Sequence, residues 1–286
     1  MKETSTHLVK SLKGYKLYGT DGALGEVKEF YFDDHHWTVR YLVADTGNWL
    51  NDQKVLISPY SIASINGEGK TIDVRLTKKQ IEDSPSLATD KPVSKQFEES
   101  YYGYYGWPEY WGTGFRWGSY YYPYRGNNLA YLNERPTGEG AWDPHLRSSH
   151  DVSGHHVEAL DGALGHVEDF VIDEETWAIR YLVIDTRNWW PGKRVLISPK
   201  WVDSVSWAES KVFVHLTREA IQSAPEFDTT EGLTRDYEMK LHRHYDLPGY
   251  WDDEPSVSEK LADEKEEKML RINRGTGPSS LQKKVY

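Results

Sequence analysis

"DGALGEVKEFYFDDHHWTVRYLVADTGNWLNDQKVLISP", Asp21 to Pro59, lines up without a gap on "DGALGHVEDFVIDEETWAIRYLVIDTRNWWPGKRVLISP", Asp161 to Pro199. The offset is 140 residues, and 22 of the 39 paired positions are identical. The match persists through Leu76-Thr77 on Leu216-Thr217, Ile81 on Ile221 and Pro85 on Pro225, and then Tyr110-Trp111 on Tyr250-Trp251. A repeat of this length is a duplicated domain and not a solenoid of short units. It places a first domain at 12–85 with an arm at 86–111, and a second domain at 152–225 with an arm at 226–251. A connector at 112–151 joins the copies, and a charged tail at 252–286 follows, with only i,i+4 pairs such as Glu264–Lys268 to support a frayed or partner-induced helix.

Within each copy the pattern predicts short strands. Thr20-Asp21-Gly22 is a turn signal, because glycine adopts the positive φ that a tight turn needs. Apolar Val27, Phe30 and Phe32 break strict alternation, and Val167 and Phe170 repeat the break, which predicts a β-bulge that bends the strand. "WTVRYLVAD" alternates Trp37, Val39, Tyr41 and Val43 on one face while Leu42 and Ala44 make the other apolar, as a central strand covered on both sides would. "KVLISP", "YSIASI" and "TIDVRL" complete a meander, and Thr77 is placed to cap a short helix. Five or six strands and one helix in some eighty residues predict a mainly β fold of two small closed barrels.

The residues now carry a family resemblance. Asp-Gly-x-x-Gly-x-Val (Asp21, Gly22 and Gly25; Asp161, Gly162 and Gly165), "RYLVAD" or "RYLVID", "VLISP" and a helix opening with Leu-Thr resemble the PRC-barrel domain. That family takes its name from the H subunit of the photosynthetic reaction centre and is similar to the C-terminal domain of the ribosome maturation factor. Both copies share the resemblance, and the arms ending in "PEYW" and "PGYW" resemble those of bacterial tandem PRC-barrel proteins. It implies a β-barrel used for docking, with no family-wide catalytic set to carry over. The membrane-entering N-terminal helix of the reaction-centre subunit has no counterpart here.

Composition narrows the chemistry. The chain of 286 residues balances 34 basic against 45 acidic residues, for a net charge of -11 that disfavours wholesale nucleic-acid binding. With no cysteine, thiolate catalysis, disulfides and Cys-ligated metal sites are excluded. No run of eighteen apolar residues occurs and the N-terminus lacks a signal-peptide core, so the expectation is a cytoplasmic protein without a bilayer-spanning segment.

Candidate chemistry has a structural reading in each case. Asp21 and Asp161 suit capping of their own turns better than cation binding. Arg40 with Asp45, repeated as Arg180 with Asp185, reads as an ion pair within the barrel. His242 and His244 would share a face only in an extended segment, and the other copy offers Tyr102 and Tyr104 there, which do not replace imidazole on zinc. No P-loop or nucleophile elbow is present. No cofactor, metal or catalytic residue is expected.

The window Tyr101 to Gly126 holds thirteen aromatics and six glycines, and the repeat cuts it in two. "YYGYYGWPEYW" is the arm; "GTGFRWGSYYYPYRG" has no counterpart, and because connector aromatics such as Phe115, Trp117, Tyr121 and Trp142 gain by burial, part of the connector is expected to lie against a barrel. The expectation is a non-enzymatic adaptor with a pseudo-twofold barrel pair or a homo-oligomer, docking a protein through Trp107, Trp111, Trp117, Trp190 and Trp251. Alternatives are an accessory role in ribosome or RNA processing, which the net charge opposes, and small-ligand or pigment binding.

Overall fold

A computed structural model of the chain describes residues 5–50, 54–85, 93, 95–111, 116–117, 123, 146–186 and 192–253. The described residues up to Asp246 fall in one compact unit that holds both barrels, and those from Leu247 to Asp253 fall in a second. In the first copy β1 (Thr6–Leu8) and α1 (Val9–Leu12) precede β2 (Lys16–Gly19), β3 (Gly22–Asp33), β4 (Thr38–Asp45), β5 (Lys54–Ile57), β6 (Ile62–Asn66), β7 (Thr71–Val74), α2 (Lys78–Glu82) and α3 (Lys95–Tyr105). The second copy repeats the order as β8 (Leu146–Ser148), α4 (Ser149–Val152), β9 (His156–Ala159), β10 (Gly162–Asp173), β11 (Ile179–Asp185), β12 (Arg194–Ile197), β13 (Val202–Ser206), β14 (Lys211–Val214), α5 (Arg218–Ser223) and α6 (Arg235–Tyr245). In the second unit α7 (Tyr250–Asp253) places Trp251 beside Tyr250, ring centroids 5.1 Å apart.

The fold is mainly β, two seven-stranded sheets that each curl into a barrel-like domain. Strand order is β5-β4-β3-β2-β7-β6 in one and β12-β11-β10-β9-β14-β13 in the other, with β2–β7 and β9–β14 the parallel pairs. Among the described residues no ladder joins β5 to β6. The 3-10 turn Pro59–Ser61 connects them instead, its start capped by Ser58. Seven of the eight residues of β4 are buried, as its two-sided apolar pattern demands. The bulge falls between Val27 and Glu29 and recurs between Val167 and Asp169. Thr77 accepts from the Gln80 amide while Gln80 reaches back to the Thr77 amide, a complete capping box on α2.

Gly25 (φ 131°) packs where a side chain cannot. A Cβ there would overlap the carbonyl oxygen of Asp45, and one at Gly165 would overlap that of Asp185. Close passage of β3 over the end of β4 thus explains the second glycine of each Asp-Gly-x-x-Gly run. The aspartates correct the expected turn caps: Asp21 accepts from the Lys78 amide at 2.9 Å and Asp161 from the Arg218 amide at 2.8 Å. Each carboxylate ties the β2–β3 or β9–β10 hairpin to the first turn of the helix 57 residues on.

The two barrels exchange their first segments. β1 pairs with β10 of the second barrel (Leu8 opposite Val171), and β8 pairs with β3 of the first (Ser148 opposite Tyr31). Equivalent side chains fasten both exchanges, His7 on Glu174 at 3.1 Å and Arg147 on Asp34 at 2.9 Å. The second repeat unit therefore starts at Leu146, inside the stretch 112–151 expected to be connector. At the centre Thr38 bridges Ala178, its own counterpart, which marks the expected pseudo-twofold axis. Around it the Val39 amide donates to the Trp177 carbonyl at 2.9 Å and the Ile179 amide to the Trp37 carbonyl at 2.7 Å. Trp37 and Trp177 hold φ of 48° and 58°, a costly backbone for a bulky residue that the paired hairpins enforce.

Candidate functional site

The most chemically loaded region of each barrel lies where the arm helix, α3 or α6, covers the sheet. Arginine and tyrosine reach this seam from adjacent positions of β4 because the ladder slips there: Tyr31 faces Tyr41 and Phe32 faces Val39, which leaves Arg40 as the extra residue of a bulge, and Arg180 repeats it. Arg40 is fully buried and donates to Asp33 Oδ2 at 2.8 Å and to the Arg116 carbonyl. Its guanidinium carbon stands 3.8 Å from the Tyr110 ring centre and 4.7 Å from that of Trp117, so the charge is held by one carboxylate and two aromatic faces.

Asp33 has a second role. Its Oδ1 accepts from the His35 and His36 amides at 2.8 and 3.1 Å, shaping the β3–β4 hairpin that reaches the pseudo-twofold axis. Burial alone would push this carboxyl up, but Arg40 and His36 hold it well below the usual carboxylate range. Arg180 and Asp173 repeat the joint: Nη2 and Nε donate to Asp173 Oδ2 at 2.7 and 3.0 Å, and Oδ1 caps the Glu175 and Thr176 amides.

These contacts correct the expected pairing of Arg40 with Asp45 and of Arg180 with Asp185. Asp45 instead pairs with Lys28, the bulged residue, at 3.3 Å and accepts from the Gly47 amide. Five residues along a strand carry Asp45 to the far end of β4, out of reach of Arg40. The signal that was missed is visible in the repeat: Asp33 and Asp173 are identical across the copies, each seven residues before its arginine.

Glu98, on α3, completes the first seam. Its Oε1 accepts from the Tyr41 hydroxyl at 2.7 Å and from the Tyr110 hydroxyl at 2.8 Å. Burial pushes this carboxyl up to about 7, with the two hydroxyl bonds and the Arg40 charge pulling the other way. In the second seam Glu238 accepts from the Tyr181 hydroxyl at 3.0 Å and pairs with Arg235 at 3.0 Å, while His242 Nε2 lies 2.9 Å from the same hydroxyl. The arm is a helix, so His242 and His244 point apart: His242 is buried and His244 meets the Ala220 carbonyl at 2.7 Å. Tyr104 makes the equivalent contact, to the Gln80 carbonyl at 3.0 Å.

The nominated tryptophans separate. Trp117 is corrected from surface anchor to core: it is fully buried, and its indole N–H donates to the Thr176 carbonyl of the other barrel at 2.8 Å. Arg116 beside it donates to the His36 carbonyl at 2.8 Å, so this dipeptide of the unpaired connector is wedged at the pseudo-twofold seam. Trp107 is half-buried, stacked on Tyr105 at 4.3 Å and facing Tyr60 at 5.7 Å. Trp111 is half-buried against Tyr102 at 5.3 Å, Trp251 lies on α7, and Trp190 falls outside the described residues.

Both seams are shut, satisfied mostly by the protein's own groups, and fix an arm to a barrel. A duplicated barrel with arms is the class of protein that this arrangement defines. The PRC-barrel domain model matches residues 6–81 and 148–221, and the chain belongs to the PRC-barrel family. The matched segments begin at the exchanged strands β1 and β8. No curated protein sequence matches the chain. No helix among the described residues is long and apolar enough to cross a membrane.

Proposed function

We propose that this is a non-enzymatic, cytoplasmic adaptor that docks a protein partner through the surface of its intrachain barrel pair. The observation that supports this most is where the reactive side chains are spent. Asp33, Arg40 and Glu98, and Asp173, Arg180, Glu238 and His242, are all buried under the arms, engaged in joining helix to sheet. What faces solvent is arm surface and barrel exterior, where Tyr104 and Met239 are each 43% exposed. Half-buried Trp107 and Trp111 border that surface, and large aromatics at the margin of a closed core suit partner anchoring. Duplication places two such arms in one chain, so a symmetric partner gains from simultaneous engagement.

Crosslinking with affinity capture of the full chain from its native cell tests the reading. A partner enriched by the wild type and lost with Trp111→Ala, in a variant that keeps its unfolding midpoint, supports it. Identical capture by both proteins, or turnover of a substrate by the purified chain, contradicts it.

A further inference from the structure

Glu98 lies at the centre of the first seam with no exposed surface. Its Oε1 has two donors, both neutral hydroxyls, and its Oε2 has no hydrogen-bond partner among the described residues. The groups facing it are Arg40 and Tyr41 from β4, Asp33 from β3, Tyr110 from the segment after α3, and Tyr102 from α3 itself. Arg40 makes no ion pair with it, being committed to Asp33 at 2.8 Å, and the same carboxylate of Asp33 holds His36 at 3.0 Å. With the described residues alone around it, a carboxylate anion here would carry a buried charge without a paired cation.

The second barrel shows how the same joint is built for an anion. There Arg235, one turn before Glu238 on α6, supplies a guanidinium at 3.0 Å. The first copy has Lys95 at the position of Arg235 and Tyr102 at that of His242, and among the described residues no cation pairs with Glu98.

We infer that Glu98 is a proton-operated latch: its protonated form seals α3 and the turn through Trp111 onto the first barrel, and loss of the proton loosens that seal. Burial dominates the upward displacement to about 7, while an opened arm would return the carboxyl to its ordinary value of about 4.3. The closed arm therefore binds the proton more tightly than the open one. Its stabilisation is complete below the ordinary glutamate range, declines as pH rises, and is gone above about 7. Release also loosens Tyr110 from Arg40, and with it the aromatic wall that covers the guanidinium. The latch stands whether or not the seam borders a docking surface.

Hydrogen exchange read by mass spectrometry on the full chain, over peptides spanning 95–111 from pH 5 to 8, tests this. Each rate is divided by that of Glu98→Gln at the same pH, which removes the intrinsic chemistry. The ratio should climb by about tenfold per pH unit to neutrality and then level, while peptides over 235–245 keep a constant ratio. A ratio flat across the range overturns the latch. Titration of the Glu98 side-chain carboxyl by carbon NMR in the wild type needs no variant. A midpoint near neutrality supports the inference, and one near about 4.3 refutes it.

Discussion

Replacing Asp33 by asparagine isolates the charge of the buried joint from its shape. The asparagine carbonyl still accepts from the His35 and His36 amides, so the hairpin keeps its caps. Arg40, with no exposed surface, loses the carboxylate of Asp33 and retains the Arg116 carbonyl and the faces of Tyr110 and Trp117. Removing one partner of a buried ion pair costs about 3–5 kcal/mol, because the other charge stays desolvated. Arg40→Met removes that charge and leaves a flexible side chain that fits between two rings. The double variant D33N/R40M should therefore recover most of the loss shown by D33N. Urea unfolding followed by tryptophan fluorescence and far-UV circular dichroism gives all three values, with equal m-values as the check on two-state behaviour. Because Asp33 is held below the ordinary carboxylate range, its contribution is present above that range and is lost as pH falls. The gap between wild type and D33N should accordingly narrow in acid. A D33N cost under about 1 kcal/mol, or a double variant as weak as D33N, would refute the buried-pair reasoning.

Other consequences are equally direct. Gly25→Ala should destabilise strongly, by more than about 3 kcal/mol, since positive φ and a backbone overlap act together, whereas Gly67→Ala, with open space around it, should change the unfolding midpoint little. Thr77→Ala removes the cap of α2 and should cost about 1 kcal/mol in the same assay. Trp117→Ala empties a fully buried site and strands the Thr176 carbonyl, for a loss of about 3–5 kcal/mol that calorimetry would resolve. Asp169, raised to about 6 chiefly by burial, faces the Lys10 amide across the exchanged segment. Its stabilisation is lost as pH rises to about 6, and Asp169→Asn should remove that slope from stability measured against pH.

Much of the fold was legible because the two copies repeat what the backbone needs. Val27 and Phe30, with Val167 and Phe170, revealed the bulge, and the apolar faces of "RYLVAD" and "RYLVID" revealed the buried strand. The strand exchange was not legible, because Thr6-His7-Leu8-Val9 and Leu146-Arg147-Ser148-Ser149 are identical at no paired position. Backbone ladders set those segments in place, with a basic side chain of different type, His7 or Arg147, fastening each, and ladders leave little trace in side-chain identity. Arg40 was identified as a paired residue but given the wrong partner, since sequence proximity favoured Asp45 while the hairpin turn brings back Asp33. Trp117 has no counterpart in the repeat; its apolar surface favours burial against a barrel, but only the packing shows that it seals the seam between the two.

Each barrel lends its first strand to the other. The chain has no cysteine, so any disulfide formed is an engineered one. Leu8 lies opposite Val171 of the second barrel, and the position equivalent to Val171 in the first barrel is Tyr31. Oxidised L8C/V171C should run as a crosslinked monomer on a non-reducing gel, with the peptide pair joined through positions 8 and 171 found by mass spectrometry, while L8C/Y31C stays reduced. Efficient crosslinking of L8C/Y31C with none in L8C/V171C would place the strand on its own barrel and contradict the account.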